Sequence, residues 1–288
     1  RDRSVSRGLG DVYKRQAFND PNARHTYMNS GIYTVRILGT CEAWRWGRST
    51  HPIECRQFLT KIIQWGNVHA KNFEESFAAC IALSSIPAGI PNMENFNNTF
   101  YGCESLTTLP SGLFSKCVNT TSFSNTFSHC TSLRSLPQDL FNACTAVTEF
   151  NGTFYTTGLV YIPEKLFDNC QNITSFQNTF GNCKNITNIP IGLFDKNENV
   201  ISFLQTFAFC DNLKTIPLGL FDKCKKATDF MLTFYLCFNL TSETPKTNGI
   251  ELWERAGLIG YPTTINGLIC FYGCTNLTNY NSIPTNWK

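Results

Sequence analysis

The 288-residue sequence has little charge and lacks the motifs of several common enzyme classes. Only 16% of its residues are charged, against about 25% in typical globular proteins, which excludes a disordered acidic or basic chain. No stretch approaches the roughly 18 consecutive apolar residues of a membrane-spanning helix, so we expect no transmembrane segment. The four histidines are scattered, and there is no His-Glu-x2-His, Gly-x-Ser-x-Gly or phosphate-binding glycine loop. We therefore expect no enzyme, no metal and no cofactor.

The net charge of +3 is confined to the beginning of the sequence. Residues 1–16 contain five basic and two acidic residues, so the rest of the chain is neutral overall. This segment resembles a translated sequencing adapter, and we expect it to be disordered and to lie outside the fold. Because the remainder has no cluster of Lys and Arg, we do not expect nucleic acid as a partner.

Phenylalanine, by contrast, is abundant and recurs at a nearly fixed interval. A Phe-x3-Phe pair appears in each unit, and from Phe77 the second Phe recurs after 23, 27, 27, 26, 27 and 27 residues. A clear copy spans 126–152 and reads Phe-x2-Cys-x2-Leu-x2-Leu-Pro-x2-Leu-Phe-x2-Cys, a polar link, and Thr-x-Phe. One such unit cannot bury its own apolar residues, so the period predicts coils stacked into a solenoid.

Stacking places like residues above one another, so the recurring columns predict the core. These columns are the second Phe of each pair, the first Cys and the aliphatic residue that follows it. The predicted core residues are Phe100, Phe127, Phe154, Phe180, Phe207, Phe234, Leu106, Leu133, Ile186, Leu213, Cys103, Cys130, Cys183 and Cys210.

The predicted fold class is a β-rich, right-handed solenoid with one or two short parallel strands per coil. Proline after the Ile or Leu ends an extended segment, which places one strand near Leu-x2-Ile. A second strand is expected near Thr-x-Phe, and a turn or short 3₁₀ segment at Leu-Phe-x2-Cys. Adjacent coils would then lie about 4.8 Å apart.

The repeat resembles the leucine-rich repeats of the BspA-like surface-protein family. The resemblance is closest to a branch with the pattern Val-Thr-x-Phe/Met-x3-Phe-x2-Cys-x2-Leu, found in bacterial surface lipoproteins and gut phage-associated proteins. The pattern stands here as AVTEFNGTF (146–154), NITSFQNTFGNCKNI (172–186) and ENVISFLQTFAFCDNL (198–213). The resemblance covers about 72–288. It implies a leucine-rich-repeat-like architecture and a location at the cell surface, in a secreted protein or in a phage particle.

The N-terminal part differs from the repeats. Residues 17–72 are expected to form a small β-rich cap, with a hairpin built from SGIYTVRILG (30–39) and CEAWRW (41–46). The apolar segment 56–67 is expected to cover the first coil, because an open solenoid end exposes apolar side chains and backbone donors.

The repeats are expected to occupy 73–241, followed by an irregular last coil and a C-terminal cap in 242–288. Within the latter, 250–265 is expected to begin with a helical turn. Trp253 would replace the Phe of the Leu-Phe pair there, and Trp287 would belong to the cap.

The fourteen cysteines do not have metal-site spacing. There is no Cys-x2-Cys, and two columns of Cys about 13 or 14 residues apart form linear files rather than tetrahedral clusters. We predict buried free thiols that act as small apolar fillers. Isolated disulfides remain an alternative, with Cys41 to Cys55 and Cys270 to Cys274 the preferred pairs.

Asp168, Asp195 and Asp222 follow the Leu-Phe pair in successive coils. We predict that they cap short turns by accepting backbone N–H bonds. A stacked file of carboxylates could alternatively hold calcium or serve a sugar-cleaving site, as in parallel β-helix enzymes. His129 occupies a variable position and is predicted to be a surface residue.

The residues between the two aliphatic anchors of each coil vary from coil to coil. This inter-anchor surface consists of positions 107–108, 134–135, 160–161, 187–188 and 214–215. The candidate binding residues on it are Arg134, Ser135, Tyr161, Thr187, Asn188, Lys214 and Thr215.

These residues predict a non-enzymatic binding or adhesion module whose partner is a protein or glycan on a host or bacterial surface. The alternatives are a structural component of a phage tail or surface assembly, with contacts through the caps, and a carbohydrate-active β-helix enzyme.

Overall fold

The computed structural model of the chain describes residues 56–66 and 71–288. The disorder expected for 1–16, the hairpin expected within 30–46 and the disulfide considered between Cys41 and Cys55 all lie outside the described residues.

Files of stacked phenylalanine rings form the core. In the file of second Phe residues, Phe100 and Phe127 lie 5.5 Å apart with ring planes at 6°, and Phe127 and Phe154 lie 5.9 Å apart at 4°. Two further files contain the first Phe of each pair and the Phe of the Leu-Phe pair. Rings of different files meet at steep angles, as Phe114 and Phe123 do at 4.7 Å and 65°. Successive coils therefore stack in register, and each buried ring contributes about 1.5–3 kcal/mol through burial alone.

The aliphatic and cysteine columns fill the space around the rings. All of the following side chains are fully buried: Phe100, Phe127, Phe154, Phe180, Phe207, Phe234, Leu106, Leu133, Ile186, Leu213, Cys103, Cys130, Cys183 and Cys210. They belong to one continuous apolar cluster, so the coils share a single core.

Parallel backbone bridges connect successive coils. A shorter series lies in the Leu-x2-Ile segment, where Thr108 pairs with Ser135 and Asn188 pairs with Thr215. The longest series runs through the middle residue of the Thr-x-Phe segment: Asn95, Ser122, Glu149, Ser175, Ser202, Asp229 and Asn266. Parallel pairing thus occurs where strands were predicted, but each bridge is an isolated pair of residues rather than part of a strand.

Tight turns explain why the strands are so short. The Thr99 N–H donates to the Phe96 carbonyl at 3.0 Å, and the Cys103 N–H donates to the Phe100 carbonyl at 3.1 Å. The third residue of the second turn, Gly102, has a φ of 67°, as type II turns require. The equivalent position of the first turn also has positive φ. Because two turns follow each other within eight residues, the chain cannot stay extended.

Regular elements among the described residues lie in the C-terminal part. Strands β1 (Lys246–Thr247) and β2 (Ile250–Glu251) form an antiparallel hairpin. Three 3₁₀ helices span Leu252–Glu254, Tyr280–Ser282 and Thr285–Trp287. The hairpin and first helix belong to the insertion that interrupts the repeat, so regular structure appears where the coil pattern stops.

Residues 56–66 lie against the first coil. The Ile62 N–H donates to the Ser85 carbonyl at 3.0 Å, which continues the coil-to-coil pairing. The Trp65 ring lies 6.0 Å from the Phe77 ring, so this segment covers the first phenylalanines of the stack.

Trp253 does not continue the phenylalanine file, contrary to the prediction. Its ring packs against Trp287, with 5.9 Å between centroids and an angle of 65°. The buried Arg255 lies at the end of the file instead, where its guanidinium donates to the Phe221 carbonyl at 3.4 Å and to the Thr247 hydroxyl. The reason is geometric: hairpin β1–β2 redirects the chain, so the residue after the helical turn reaches Phe221.

The C-terminal residues complete the last described coil. The Ile269 N–H donates to the Asn286 carbonyl at 2.8 Å, and the Phe271 N–H donates to the Trp287 carbonyl at 2.7 Å. The indole of Trp287 occupies the space beside Gly267, where an added Cβ would lie 2.1 Å from the ring. Backbone donors that an open end would expose are thereby bonded.

Candidate functional site

The inter-anchor surface is held in place by hydrogen bonds between coils. The Arg134 N–H donates to the Thr107 carbonyl at 3.1 Å, and the Lys214 N–H donates to the Thr187 carbonyl at 2.9 Å. The side chains of Arg134 and Lys214 are exposed. The predicted positions therefore form a solvent-facing file whose backbone is hydrogen-bonded from 107 through 134 to 160 and again from 187 to 214, with no such bond between 160–161 and 187–188 in the described part of the chain.

Some of these side chains already have partners within the protein. Arg134 Nη1 donates to the Gly158 carbonyl at 3.2 Å, and the Thr215 hydroxyl donates to the Asn188 side-chain oxygen at 2.9 Å. Tyr161 is 54% exposed and is the largest apolar side chain on this surface. Ser135 is half-buried, and Thr187 accepts a bond from the Asn188 amide at 3.1 Å. The surface thus combines a fixed polar file with an exposed aromatic ring.

A groove of about 440 Å³ lies on a different segment of the coils, beside the Phe-x3-Phe turns. Its aromatic lining consists of Tyr101, His129 and Tyr155. The His129 ring lies 5.0 Å from the Tyr101 ring and 5.6 Å from the Tyr155 ring. His129 is thus half-buried between two tyrosines, whereas the sequence predicted only a surface residue.

Amide side chains form the polar lining of the groove. They are Asn125, Asn151, Gln177, Asn178 and Gln205. The Asn151 amide donates to Glu149 at 2.8 Å, and the same carboxylate accepts bonds from Ser122 and Ser124 at 2.9 and 3.2 Å. These residues are not among the predicted binding residues, although the sequence contains a signal for them: Tyr101, Tyr155, Tyr235 and Tyr272 all follow the second Phe of their coils.

From Cys103 onward, the cysteines of the first column donate hydrogen bonds to the preceding coil. Cys130 Sγ lies 3.2 Å from the Phe100 carbonyl, and Cys183 Sγ lies 3.0 Å from the Phe154 carbonyl. Burial raises the pKa of Cys130 to about 12 and that of Cys183 to about 11, so both remain thiols at neutral pH. These residues are buried free thiols, but the prediction that they act as apolar fillers overlooked their donor role.

Two sequence departures keep a buried donor, but only the first keeps the bond to the preceding coil. Asn197, which replaces a Cys of the second column, donates to the Phe167 and Cys170 carbonyls at 3.2 and 3.0 Å. Thr157, which replaces a Cys of the first column, donates to the Phe154 carbonyl of its own coil at 2.9 Å. Both replacements keep a buried donor.

The disulfide considered between Cys270 and Cys274 is not formed, and both residues are buried free thiols. The Cys274 Sγ instead lies 3.0 Å from the Phe234 carbonyl, as in the other coils. The stacking that directs each thiol toward the preceding coil therefore directs it away from a neighbour in its own coil.

The aspartate file does not cap turns as predicted. The Asp222 carboxylate accepts a bond from the Thr247 hydroxyl at 2.5 Å, and the Asp195 side chain has no hydrogen bond within the described residues. The turn at Asp195 is closed by the backbone alone, because the Asp195 N–H donates to the Gly192 carbonyl at 3.0 Å. Among the described residues, no three His, Cys, Asp or Glu side chains are grouped as a metal site would require.

Comparison with known proteins gives no match to a protein-family model or to a curated protein. Solved structures that match include a leucine-rich repeat protein from Bacteroides ovatus ATCC 8483, 15% identical over 76% of this chain and 67% of that chain, with a TM-score of 0.37. A leucine rich cell surface protein from Faecalibacterium prausnitzii A2-165 is 14% identical over 96% of this chain and 88% of its own, with a TM-score of 0.24. A leucine-rich repeat protein from Eubacterium ventriosum ATCC 27560 is 13% identical over 66% of this chain and 59% of its own, with a TM-score of 0.27.

The stacked-coil architecture is established by the contacts within this chain. In the described part of the chain, no helix has the length and apolar character needed to span a membrane.

Proposed function

We propose that the protein is a non-catalytic binding module that recognises a protein or glycan through the inter-anchor surface, at a cell surface or as a secreted protein. The observation that carries the proposal is the fixed file described above. Side chains that differ from coil to coil project from segments in which the backbone N–H groups of Arg134, Val160 and Lys214 donate to the preceding coil. A rigid surface of this kind loses little conformational entropy when it binds.

Tyr161, Arg134 and Lys214 are the residues on which we expect affinity to depend. Tyrosine and arginine are enriched among the side chains that dominate binding energy, because each offers a large contact area together with a polar group. Tyr161 lies between the two cationic side chains along the file, so a partner with an acidic or hydroxyl-rich surface would contact all three.

The test is a glycan-array and surface-protein binding screen with the whole chain, followed by affinity measurements on the triple variant Arg134→Ala, Tyr161→Ala and Lys214→Ala. We expect the triple variant to lose about tenfold or more in affinity. The matched control, Lys116→Ala with Lys225→Ala, removes exposed charge elsewhere and should leave the affinity unchanged.

A chain that binds no glycan and no protein in the screen, or a triple variant that binds as tightly as the unmodified chain, would contradict the proposal. Self-association through the ends of the solenoid, unaffected by the triple variant, would favour a structural role in a larger assembly.

A further inference from the structure

We propose that the groove beside the Phe-x3-Phe turns is a second binding site, and that its ligand is a short, uncharged oligosaccharide. The site lies on a different segment of the coil from the inter-anchor surface, so this proposal does not depend on that surface. The ligand class follows from the shape of the groove, its aromatic rings, its free amides and its charge.

Two glycines let side chains that line the groove lie close to the backbone of the next coil. A Cβ on Gly152 would lie 2.2 Å from the Asn125 side-chain oxygen, and a Cβ on Gly181 would lie 3.0 Å from the Tyr155 ring. Asn125 and Tyr155 therefore lie across the backbone of the following coil, where other coils carry a side chain. The groove of about 440 Å³ falls within the range of small-ligand sites, about 300 to 1,000 Å³.

The aromatic rings supply apolar faces along the groove. Tyr101 is 38% exposed, and the three rings follow one another at 5.0 and 5.6 Å. The C–H groups on one face of a pyranose ring carry a small positive charge, and the faces of aromatic rings are electron-rich. Consecutive sugar units can therefore pack on consecutive rings.

The amides of the groove are available to hydroxyl groups. Within the described part of the chain, the side-chain amides of Asn125, Gln177, Asn178 and Gln205 form no hydrogen bond with protein atoms. Each amide offers both a donor and an acceptor, and each sugar hydroxyl offers both as well. Half-buried amides without protein partners are thus suited to a ligand with many hydroxyl groups.

The charge of the groove selects a neutral ligand. Its lining contains no Lys, Arg, Asp or Glu side chain. The nearby Glu149 carboxylate is occupied by Ser122, Ser124 and Asn151. A sulfated, sialylated or phosphorylated ligand would lose hydration without gaining an ion pair, so neutral sugars are favoured.

The experiment titrates the whole chain with neutral oligosaccharides of glucose, galactose, mannose and N-acetylglucosamine, and with heparin and a sialylated oligosaccharide, by calorimetry. We expect at least one neutral oligosaccharide to bind and the charged ones to bind more weakly. Tyr155→Ala should lower the affinity about tenfold, and Gln177→Trp, which fills the groove, should abolish binding.

Tyr235→Ala is the matched control. Tyr235 occupies the same column as Tyr155 but stacks on Tyr272 at 5.3 Å outside the groove, so its loss should change the affinity less than twofold. Thermal unfolding of each variant verifies that the fold is retained.

Three results would overturn the proposal: no binding of any neutral oligosaccharide, tighter binding of the charged ones, or equal losses in Tyr155→Ala and Tyr235→Ala. The triple variant at Arg134, Tyr161 and Lys214 separates the two sites. If that variant no longer binds the oligosaccharide while Tyr155→Ala still binds it, the inter-anchor surface is the binding site and the groove proposal fails.

Discussion

From Cys103 onward, the cysteines of the first column are hydrogen-bond donors as well as packing residues. The bond from Cys130 Sγ to the Phe100 carbonyl crosses from one coil to the preceding one, and both atoms are buried. The same carbonyl also accepts the Cys103 N–H at 3.1 Å, so the thiol adds a second hydrogen bond, and a hydrogen bond within a protein contributes about 0.5–1.5 kcal/mol. The thiol therefore joins adjacent coils at a point where water cannot reach the backbone.

Replacing Cys130 by Ser or by Ala separates the donor role from the packing role. Serine keeps a donor at nearly the same place, whereas alanine leaves the Phe100 carbonyl without this bond, so we expect Cys130→Ala to be less stable than Cys130→Ser by about 1 kcal/mol. Urea unfolding measures the difference. If the thiol were only an apolar filler, the order would reverse, because the serine hydroxyl would be buried without benefit.

The coil owes its shape to residues with positive φ at its turns. Gly89, Gly112 and Gly192 occupy one such position, two residues after the proline, with φ of 68°, 68° and 74°. Lys165 occupies the same position with a φ of 60°, although it has a Cβ. The left-handed conformation costs a residue with a Cβ roughly 1–2 kcal/mol relative to glycine.

Lys165→Gly is therefore expected to stabilise the protein, by about 1 kcal/mol after the greater chain entropy of glycine is deducted. Its side chain is exposed, so no core packing is lost. The control is Glu164→Gly at the neighbouring position. Glu164 does not have a positive φ, so this change relieves no backbone strain and should be neutral or destabilising. Chemical denaturation of both variants provides the measurement, and a destabilised Lys165→Gly would refute the role assigned to this turn.

The sequence could predict the columns but not the turns that connect them. Phe127, Leu133 and Cys130 recur with the period of the repeat, and a stacked repeat must bury what recurs. The Phe-x3-Phe segment also alternates as a strand would, and its turns depend on residues such as Asn98 and His129 that adopt positive φ without being glycine. Periodicity alone does not distinguish such a segment from an extended one.

At the scale of the whole molecule, the solenoid carries both proposed binding sites and is covered at both described ends. Trp65 covers the first rings and Trp287 completes the last coil. The inter-anchor surface could be predicted because its positions lie between buried anchors. The groove could not, because the positions of Asn125 and Tyr155 in its lining depend on glycines of the next coil, which is a property of neighbouring coils rather than of one repeat.

The register of the coils underlies both proposed sites, and disulfide cross-linking tests it most directly. In a chain with Cys41 and Cys55 changed to Ser, we would introduce Thr108→Cys with Ser135→Cys, the pair that bridges adjacent coils. Adjacent parallel segments lie about 4.8 Å apart, within the Cα separation that a disulfide spans. The buried native thiols, with their raised pKa values, should remain reduced under mild oxidation.

We expect mass spectrometry of the oxidised chain to show the disulfide between positions 108 and 135. The control pair, Thr108→Cys with Asn188→Cys, lies three coils apart, about 14 Å, and should not cross-link. Absence of the first disulfide, or equal cross-linking of the two pairs, would contradict the in-register stack.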